Sequence, residues 1–256
     1  VLDVSPSSKL GFSTDTVYFD TVFVTMGSVT QRFRVYNSSE DKIKVSNIRL
    51  AGGSASPFRL NIDGEATINA HDVEIDGKDS IFIFVEVTID PNNDQNPFVV
   101  MDSVLFETNG NLQNVKLMAY GRNADFFRPT VFPKNGFPAY SVVGCDTTWT
   151  NNRPKVIIGY LAVDSACSLT IEAGTQVYLY NNSGIWVYKQ GRLVVNGTLQ
   201  DSVVFQGVRK EDSYKNTPGQ WDRIWINQGS TGNVINYAVI KNGNIGIQAE
   251  DVISFG

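Results

Sequence analysis

Residues 169–175 have the sequence LTIEAGT, and residues 193–198, which begin 24 positions later, have the related sequence LVVNGT. A second repeated segment lies just upstream of each copy and recurs along the chain as LAVD at 161–164, IWVY at 185–188, IWIN at 224–227 and IQAE at 247–250. Short strands that recur every 20–30 residues or so are typical of a solenoid, in which each coil stacks on the one before. These repeats predict a solenoid built of β-strands.

The coils are predicted to begin near Lys155, with three short strands in each coil and apolar side chains at alternate positions. The predicted inward pairs are Leu161/Val163, Ile185/Val187, Ile224/Ile226 and Ile247/Ala249 in one strand ladder, Leu169/Ile171 and Leu193/Val195 in a second, and Val177/Leu179 and Val203/Phe205 in a third. This arrangement predicts a parallel β-helix over residues 155–256. The longer step between Trp186 and Trp225 indicates an insertion at roughly residues 208–220.

The first 123 residues have a different pattern, in which short alternating segments are separated by turn residues. The predicted strands are Val17–Val24, Thr30–Tyr36, Ile43–Leu50, Phe58–Ile62, Ser80–Ile89, Ser103–Glu107 and Asn114–Tyr120. Seven short strands with turns between them favour an immunoglobulin-like β-sandwich. Residues 124–154 contain four prolines and are predicted to be a linker that also caps the first coil. The chain is therefore predicted to be all-β, with a sandwich followed by a solenoid.

Charge and composition exclude several classes of function. The formal net charge is −5, and no run of Lys and Arg is longer than Arg209-Lys210, so nucleic acid is not an expected partner. No apolar run approaches the 18 or so residues of a membrane-spanning helix. The two cysteines, Cys145 and Cys167, either form a disulfide or are two buried thiols, and the sequence leaves both alternatives open. No metal site or cofactor motif is expected.

Both halves of the chain resemble known modules. The second half resembles right-handed parallel β-helix repeat proteins at Leu169–Thr175, Gly184–Tyr188, Leu193–Thr198, Val203–Gly207 and Gln220–Ile226. The first half resembles immunoglobulin-like modules of secreted bacterial proteins at Arg34–Asn37, Phe58–Leu60, Val85–Pro91 and Leu105–Asn109. Together they look like Gram-negative cell-surface lipoproteins. The resemblance implies export to the cell surface, the outer membrane or the extracellular space, and a possible lipid anchor outside the given chain.

The resemblance supplies no catalytic residue. Because β-helices of this kind usually have more coils, we expect the chain to be truncated within its β-helix.

An outward-facing row of aromatic residues is the strongest candidate for a binding surface. Trp186, Tyr188 and Trp225 are predicted to lie on the outside of adjacent coils, with Gln248 following in the next. Exposed aromatic rings bind sugar rings, and nearby polar groups bind hydroxyls. Tyr214 and Asp222, in and beside the insertion, are the other candidate ligand-binding residues.

Three functions are compatible with these residues. The first is a non-enzymatic surface binding or adhesion protein whose partner is a glycan or a surface protein. The second is a polysaccharide lyase or glycoside hydrolase that uses Glu211, Asp212 and Asp222. The third is a structural spacer, in which the aromatic row serves only for packing.

Overall fold

The computed structural model describes residues 1–90, 98–134, 136–210 and 214–250. These residues form β-strands joined by turns, together with one short 3-10 helix at Gly53–Ala55, so the all-β prediction is confirmed. None of the helical structure in these ranges has the length and apolar character needed to cross a bilayer. The chain divides into two compact units, Val1–Asn123 and Ala124–Gly256.

The described residues of the first unit form two β-sheets. Its strands are β1 (Leu2–Asp3), β2 (Leu10–Phe12), β3 (Thr16–Phe23), β4 (Gln31–Asn37), β5 (Lys42–Leu50), β6 (Phe58–Ile62), β7 (Glu65–Ala66), β8 (Asn69–Ile75), β9 (Ser80–Val87), β10 (Phe98–Thr108) and β11 (Asn111–Arg122). One sheet has the order β1-β5-β10-β11-β3 with β8 beside β5, and the other has the order β2-β4-β9-β6-β7. All seven predicted strands are present, with ends shifted by a few residues. The strands that the sequence did not predict are β1, β2, β7 and β8, of which three have only two or three residues.

The core of the first unit lies between these two sheets. Phe106, on β10 of one sheet, has its ring centroid 5.0 Å from that of Phe12 and 6.3 Å from that of Phe33, both on the other sheet. Alternation along β9 places Ile83 and Val85 in this core with no exposed surface. The outward side chains of the same strand remain partly exposed.

The second unit contains three parallel sheets that the chain visits in turn. Its strands are β12 (Asp125–Phe127), β13 (Tyr140–Val142), β14 (Thr147–Trp149), β15 (Lys155–Ile157), β16 (Tyr160–Val163), β17 (Ser168–Glu172), β18 (Gln176–Leu179), β19 (Gly184–Val187), β20 (Arg192–Asn196), β21 (Val203–Gly207), β22 (Ile224–Ile226), β23 (Val234–Asn236), β24 (Ala238–Ile240) and β25 (Ile247–Ala249). The sheet orders are β12-β15-β18-β21-β24, β13-β16-β19-β22-β25 and β14-β17-β20-β23. Successive triplets of strands therefore form stacked coils.

The first coil begins earlier than the sequence predicted. Residues 124–154 were expected to be a linker and cap, but β12, β13 and β14 are the first strands of the three sheets. Each is only three residues long, and three prolines lie between β12 and β13, so their period was not recognisable. Lys155 joins this coil to the next, because its buried Nζ lies 2.5 Å from Asp125 Oδ2. The stack thus starts about 30 residues before Lys155.

Columns of apolar side chains fill the interior of the coils. Leu161, Ile185 and Ile224 follow one another in register and have no exposed surface. The third ladder differs from the prediction in register, since Val177 is paired with Phe205 and not with Val203. A shift of two residues leaves the same side chains facing inward, so the predicted core of this ladder is retained. In the first ladder the predicted inward pair Ile247/Ala249 is exposed.

The two cysteines form a disulfide in the structure, with a Cα–Cα distance of 4.7 Å. This distance lies within the usual range for a disulfide. Cys145 precedes β14 and Cys167 precedes β17, and these two strands are neighbours in one sheet. The disulfide therefore joins the first two coils at the same corner.

Candidate functional site

An aromatic cluster lies on the outer face of the sheet that contains β19 and β22. Trp186 and Trp225 are register partners on these adjacent strands, and their ring centroids are 5.5 Å apart with planes 14° from parallel. Tyr188 follows Trp186 along the chain and makes an edge-on ring contact with it at 5.5 Å. The structure thus brings together the three aromatic residues that the sequence predicted.

Two further rings complete this cluster, which we call the aromatic ladder: Phe137, Tyr140, Trp186, Tyr188 and Trp225. Phe137 stacks on Trp186 at 6.1 Å with planes 14° apart, and Tyr140 contacts Trp186 edge-on at 5.7 Å. Sequence reasoning missed both because they belong to the unrecognised first coil. One feature of the sequence could have indicated them. The outward position next to Trp186 on the preceding coil holds a small residue, Ala162, which leaves space beside the Trp186 ring for further side chains.

Stacking decides which rings of the ladder are open to a ligand. Phe137 comes from the first coil and Trp225 from the coil after Trp186, so the two rings stack on opposite faces of Trp186. Trp186 is only partly exposed, because Phe137 and Trp225 stack on its ring. The most exposed rings of the ladder are Phe137 at 47% and Tyr188 at 45%.

Polar groups fix the two tryptophans along one border of the ladder. The indole Nε1 of Trp186 donates a hydrogen bond to Asn227 Oδ1, and Nε1 of Trp225 donates to Glu250 Oε1 at 2.6 Å. Asn227 Nδ2 and the backbone N–H of Gln228 both donate to Glu250 Oε2. Partial burial opposes ionisation of Glu250, but the bonds from Asn227 and Trp225 outweigh it and lower the pKa of the carboxyl. An ionised carboxylate therefore borders the ladder.

A second polar cluster adjoins the ladder around Asp222. Tyr160 Oη donates a hydrogen bond to Asp222 Oδ2, and Arg223 Nη2 donates to Asp222 Oδ1 at 2.9 Å. Arg223 Nη1 also donates to Gln248 Oε1, and Gln248 is the register partner of Trp225. Two of the predicted site residues, Asp222 and Gln248, are therefore linked to each other and to the ladder through Arg223.

The protonation states in this cluster follow from its hydrogen bonds. Burial is the largest cause of the raised pKa of Tyr160, and the neighbouring carboxylate of Asp222 raises it further. Burial also opposes ionisation of Asp222, but hydrogen bonds from Arg223 and Tyr160 lower the pKa of Asp222 below its ordinary value. Asp222 is therefore an ionised acceptor whose two oxygens are both already hydrogen-bonded.

The remaining candidates do not join the ladder. The Tyr214 ring lies under the guanidinium of Arg209, 3.4 Å from ring centroid to Cζ, and its carbonyl accepts a hydrogen bond from Gln220. Glu211 and Asp212 lie outside the described residues. Within the described ranges, no group of three His, Cys, Asp or Glu side chains is placed to hold a metal ion.

Comparisons with known proteins leave the family open. No family model matches the chain, and no curated protein matches it. Among solved structures, a family 123 glycoside hydrolase from Clostridium perfringens is 8% identical over 45% of this chain and 28% of its own, with a TM-score of 0.32. PapD-like domain 7 of human CEP192 is 11% identical over 47% of this chain and 89% of its own, with a TM-score of 0.31.

A protein of unknown function from Porphyromonas gingivalis W83 is 8% identical over 46% of this chain and 57% of its own, with a TM-score of 0.31. The chain spans less than a third of the length of the glycoside hydrolase. Likenesses of this size carry no argument about fold or function.

Proposed function

We propose that this chain is a non-enzymatic, exported binding protein that holds a glycan on the aromatic ladder. In this proposal the first unit is an immunoglobulin-like sandwich and the second is a right-handed parallel β-helix. The three parallel ladders and the two sheets joined by a phenylalanine core support these assignments. Right-handed winding is supported by the strong preference of parallel crossovers for that hand.

The observation that carries the proposal is the exposure of Phe137 and Tyr188 in a ladder whose tryptophans are held by polar groups. Both rings expose nearly half of their surface, whereas Tyr140, Trp186 and Trp225 are only partly exposed. Aromatic rings with an apolar face and adjacent hydrogen-bonding groups suit sugar rings, which have apolar faces and a rim of hydroxyls. The carboxylate of Glu250 and the side-chain carbonyl of Asn227 are hydrogen-bond acceptors that are already fixed in position.

Location at the cell surface or outside the cell is supported by the Cys145–Cys167 disulfide, since disulfides persist in oxidising compartments. The resemblance to surface lipoproteins supports the same location.

The test is a screen of the purified chain against neutral and acidic polysaccharides that records both retention and release of cleaved products. The variant Phe137→Ala/Tyr188→Ala removes the two most exposed rings of the ladder. The control Phe132→Ala/Tyr180→Ala removes one exposed Phe and one exposed Tyr of the same unit that make no described ring contact with the ladder. We expect at least one polysaccharide class whose retention is weakened about tenfold in the first variant and unchanged in the control.

Equal retention by both variants would place the binding site elsewhere. Release of shortened oligosaccharides would favour the enzyme alternative. Absence of retention for every polysaccharide would favour the spacer alternative.

A further inference from the structure

The outer face of the β2-β4-β9-β6-β7 sheet carries a second group of aromatic and charged residues, separate from the ladder. Arg32 and Arg34 project outward from β4, and their register partners on β9 are Phe84 and Phe82. We call these four residues the arginine–phenylalanine face. The residue between the two arginines, Phe33, points into the core and is 2% exposed. The alternation of the strand thus fixes both arginines on the solvent side.

Both arginines are held over one ring. The guanidinium carbons of Arg34 and Arg32 lie 4.5 and 5.2 Å from the centroid of Phe82, and Phe82 is stacked on Phe84 at 6.0 Å. Among the described residues neither arginine forms an ion pair with a carboxylate. Stacking restricts the two side chains before any ligand arrives, which lowers the entropic cost of binding an anion.

A depression of about 410 Å³ adjoins this face and shares Phe84 with it. Its polar lining includes Thr30, Asn61 and Glu86, and Thr30 Oγ1 donates a hydrogen bond to Glu86 Oε1. Arg59, also in the lining, uses Nη1 to bond the carbonyls of Ser56 and Phe58. The depression therefore offers an aromatic wall and a carboxylate acceptor beside the guanidinium groups of Arg32 and Arg34.

We propose that this face binds an acidic polysaccharide in which charged and neutral sugars alternate. Arg32 and Arg34 bind the carboxylate or sulfate of the charged sugar, because a guanidinium matches either group with paired hydrogen bonds. The neutral sugar lies against Phe84 in the depression, where Glu86 accepts hydrogen bonds from its hydroxyls. A continuous run of acidic groups, as in an acidic peptide, is disfavoured because Glu86 would repel it.

The experiment measures binding of the full chain by titration calorimetry with three probes: hyaluronan oligosaccharides, dextran and polyglutamate. The test variant is Arg32→Ala/Arg34→Ala. The control is Lys42→Ala/Lys44→Ala, which also removes two cations that lie two residues apart on one strand. These lysines belong to the other sheet and are already ion-paired with carboxylates. We expect hyaluronan to bind, dextran and polyglutamate not to bind, and hyaluronan affinity to fall about tenfold or more in the test variant only.

Equal affinity in the test and control variants would overturn the proposal, as would the absence of hyaluronan binding by the native chain. Polyglutamate binding that is as strong as hyaluronan binding would overturn it in favour of an acidic protein partner. The variant Phe137→Ala/Tyr188→Ala separates this site from the ladder, because we expect it to retain native affinity for hyaluronan at the arginine–phenylalanine face. Amide hydrogen exchange of residues 31–37 and 80–87 checks that the test variant remains folded.

Discussion

At the scale of single residues, the cluster around Asp222 connects three coils beside the ladder. Its carboxylate accepts from Tyr160 on β16 and from Arg223 immediately before β22, and Arg223 extends the chain of bonds to Gln248 on β25. Three coils are therefore connected through one ionised side chain. Because its two oxygens accept hydrogen bonds from Tyr160 and Arg223, Asp222 positions Arg223 and, through it, Gln248.

The lowered pKa of Asp222 predicts a pH dependence of stability. A carboxyl whose pKa is lower in the folded state stabilises the fold above its unfolded pKa, near 3.8, and this contribution is lost as the pH falls through the folded pKa. We expect Asp222→Asn to be less stable than the native chain at pH 6, and the difference in unfolding free energy to narrow as the pH falls below about 4.

Urea unfolding monitored by tryptophan fluorescence measures this difference cleanly, because all four tryptophans lie in the second unit. A difference that is the same at pH 6 and pH 3 would contradict the assignment of an ionised, hydrogen-bonded Asp222.

At the scale of elements, the sequence predicted the strands of the second unit wherever the residue pattern of one strand recurred in the next coil. Leu169–Thr175 and Leu193–Thr198 fixed one ladder because the same apolar alternation and the same turn recur at a constant offset. Phe137 and Tyr140 could not be found this way, since Tyr140 begins a strand of only three residues and Phe137 lies before that strand, on the other side of Pro138. The sequence did not predict that Val177 pairs with Phe205, because this register depends on the lengths of the loops between the strands. The period of the pattern does not determine those lengths.

A glycine on β19 provides a test of how closely the coils stack. A Cβ placed on Gly184 would lie 2.6 Å from the carbonyl oxygen of Arg223 and 2.7 Å from the ring of Tyr160. Gly246 lies at the corresponding position two coils after Gly184, and a Cβ there meets only Ile240, at 3.7 Å. We expect Gly184→Ala to lower the unfolding free energy of the second unit by about 2 kcal/mol or more, and Gly246→Ala to change it little.

The same fluorescence-monitored urea titration compares the two alanine variants. Equal stability of the two variants would mean that the coils move apart locally at Gly184 and that the close packing of Tyr160 over it is not required.

At the scale of the whole molecule, the division into two units and the all-β class followed from two distinct sequence patterns, whereas both candidate binding faces depend on contacts between distant segments. The arginine–phenylalanine face joins β4 to β9, about 50 residues apart, and the ladder joins Phe137 to Trp225 through Trp186. Alternation predicts which side of a strand a residue is on. It does not predict which strand lies beside it, so these combinations became visible only in the structure.

The disulfide lies entirely within the second unit, so its removal is expected to act on that unit alone. Cross-linking residues 22 apart restricts the unfolded chain, which corresponds to about 3 kcal/mol in the chain-entropy treatment. We expect Cys145→Ser/Cys167→Ser to lower the urea midpoint of the tryptophan-monitored transition, while amide exchange of residues 31–37 and 80–87 keeps its native protection because those strands have their own core. Native protein treated with a thiol reductant serves as the matched comparison and should behave like the variant. Loss of amide protection in both units together would instead mean that they unfold as one cooperative body. An unchanged tryptophan-monitored transition would mean that the first two coils are held together without the disulfide.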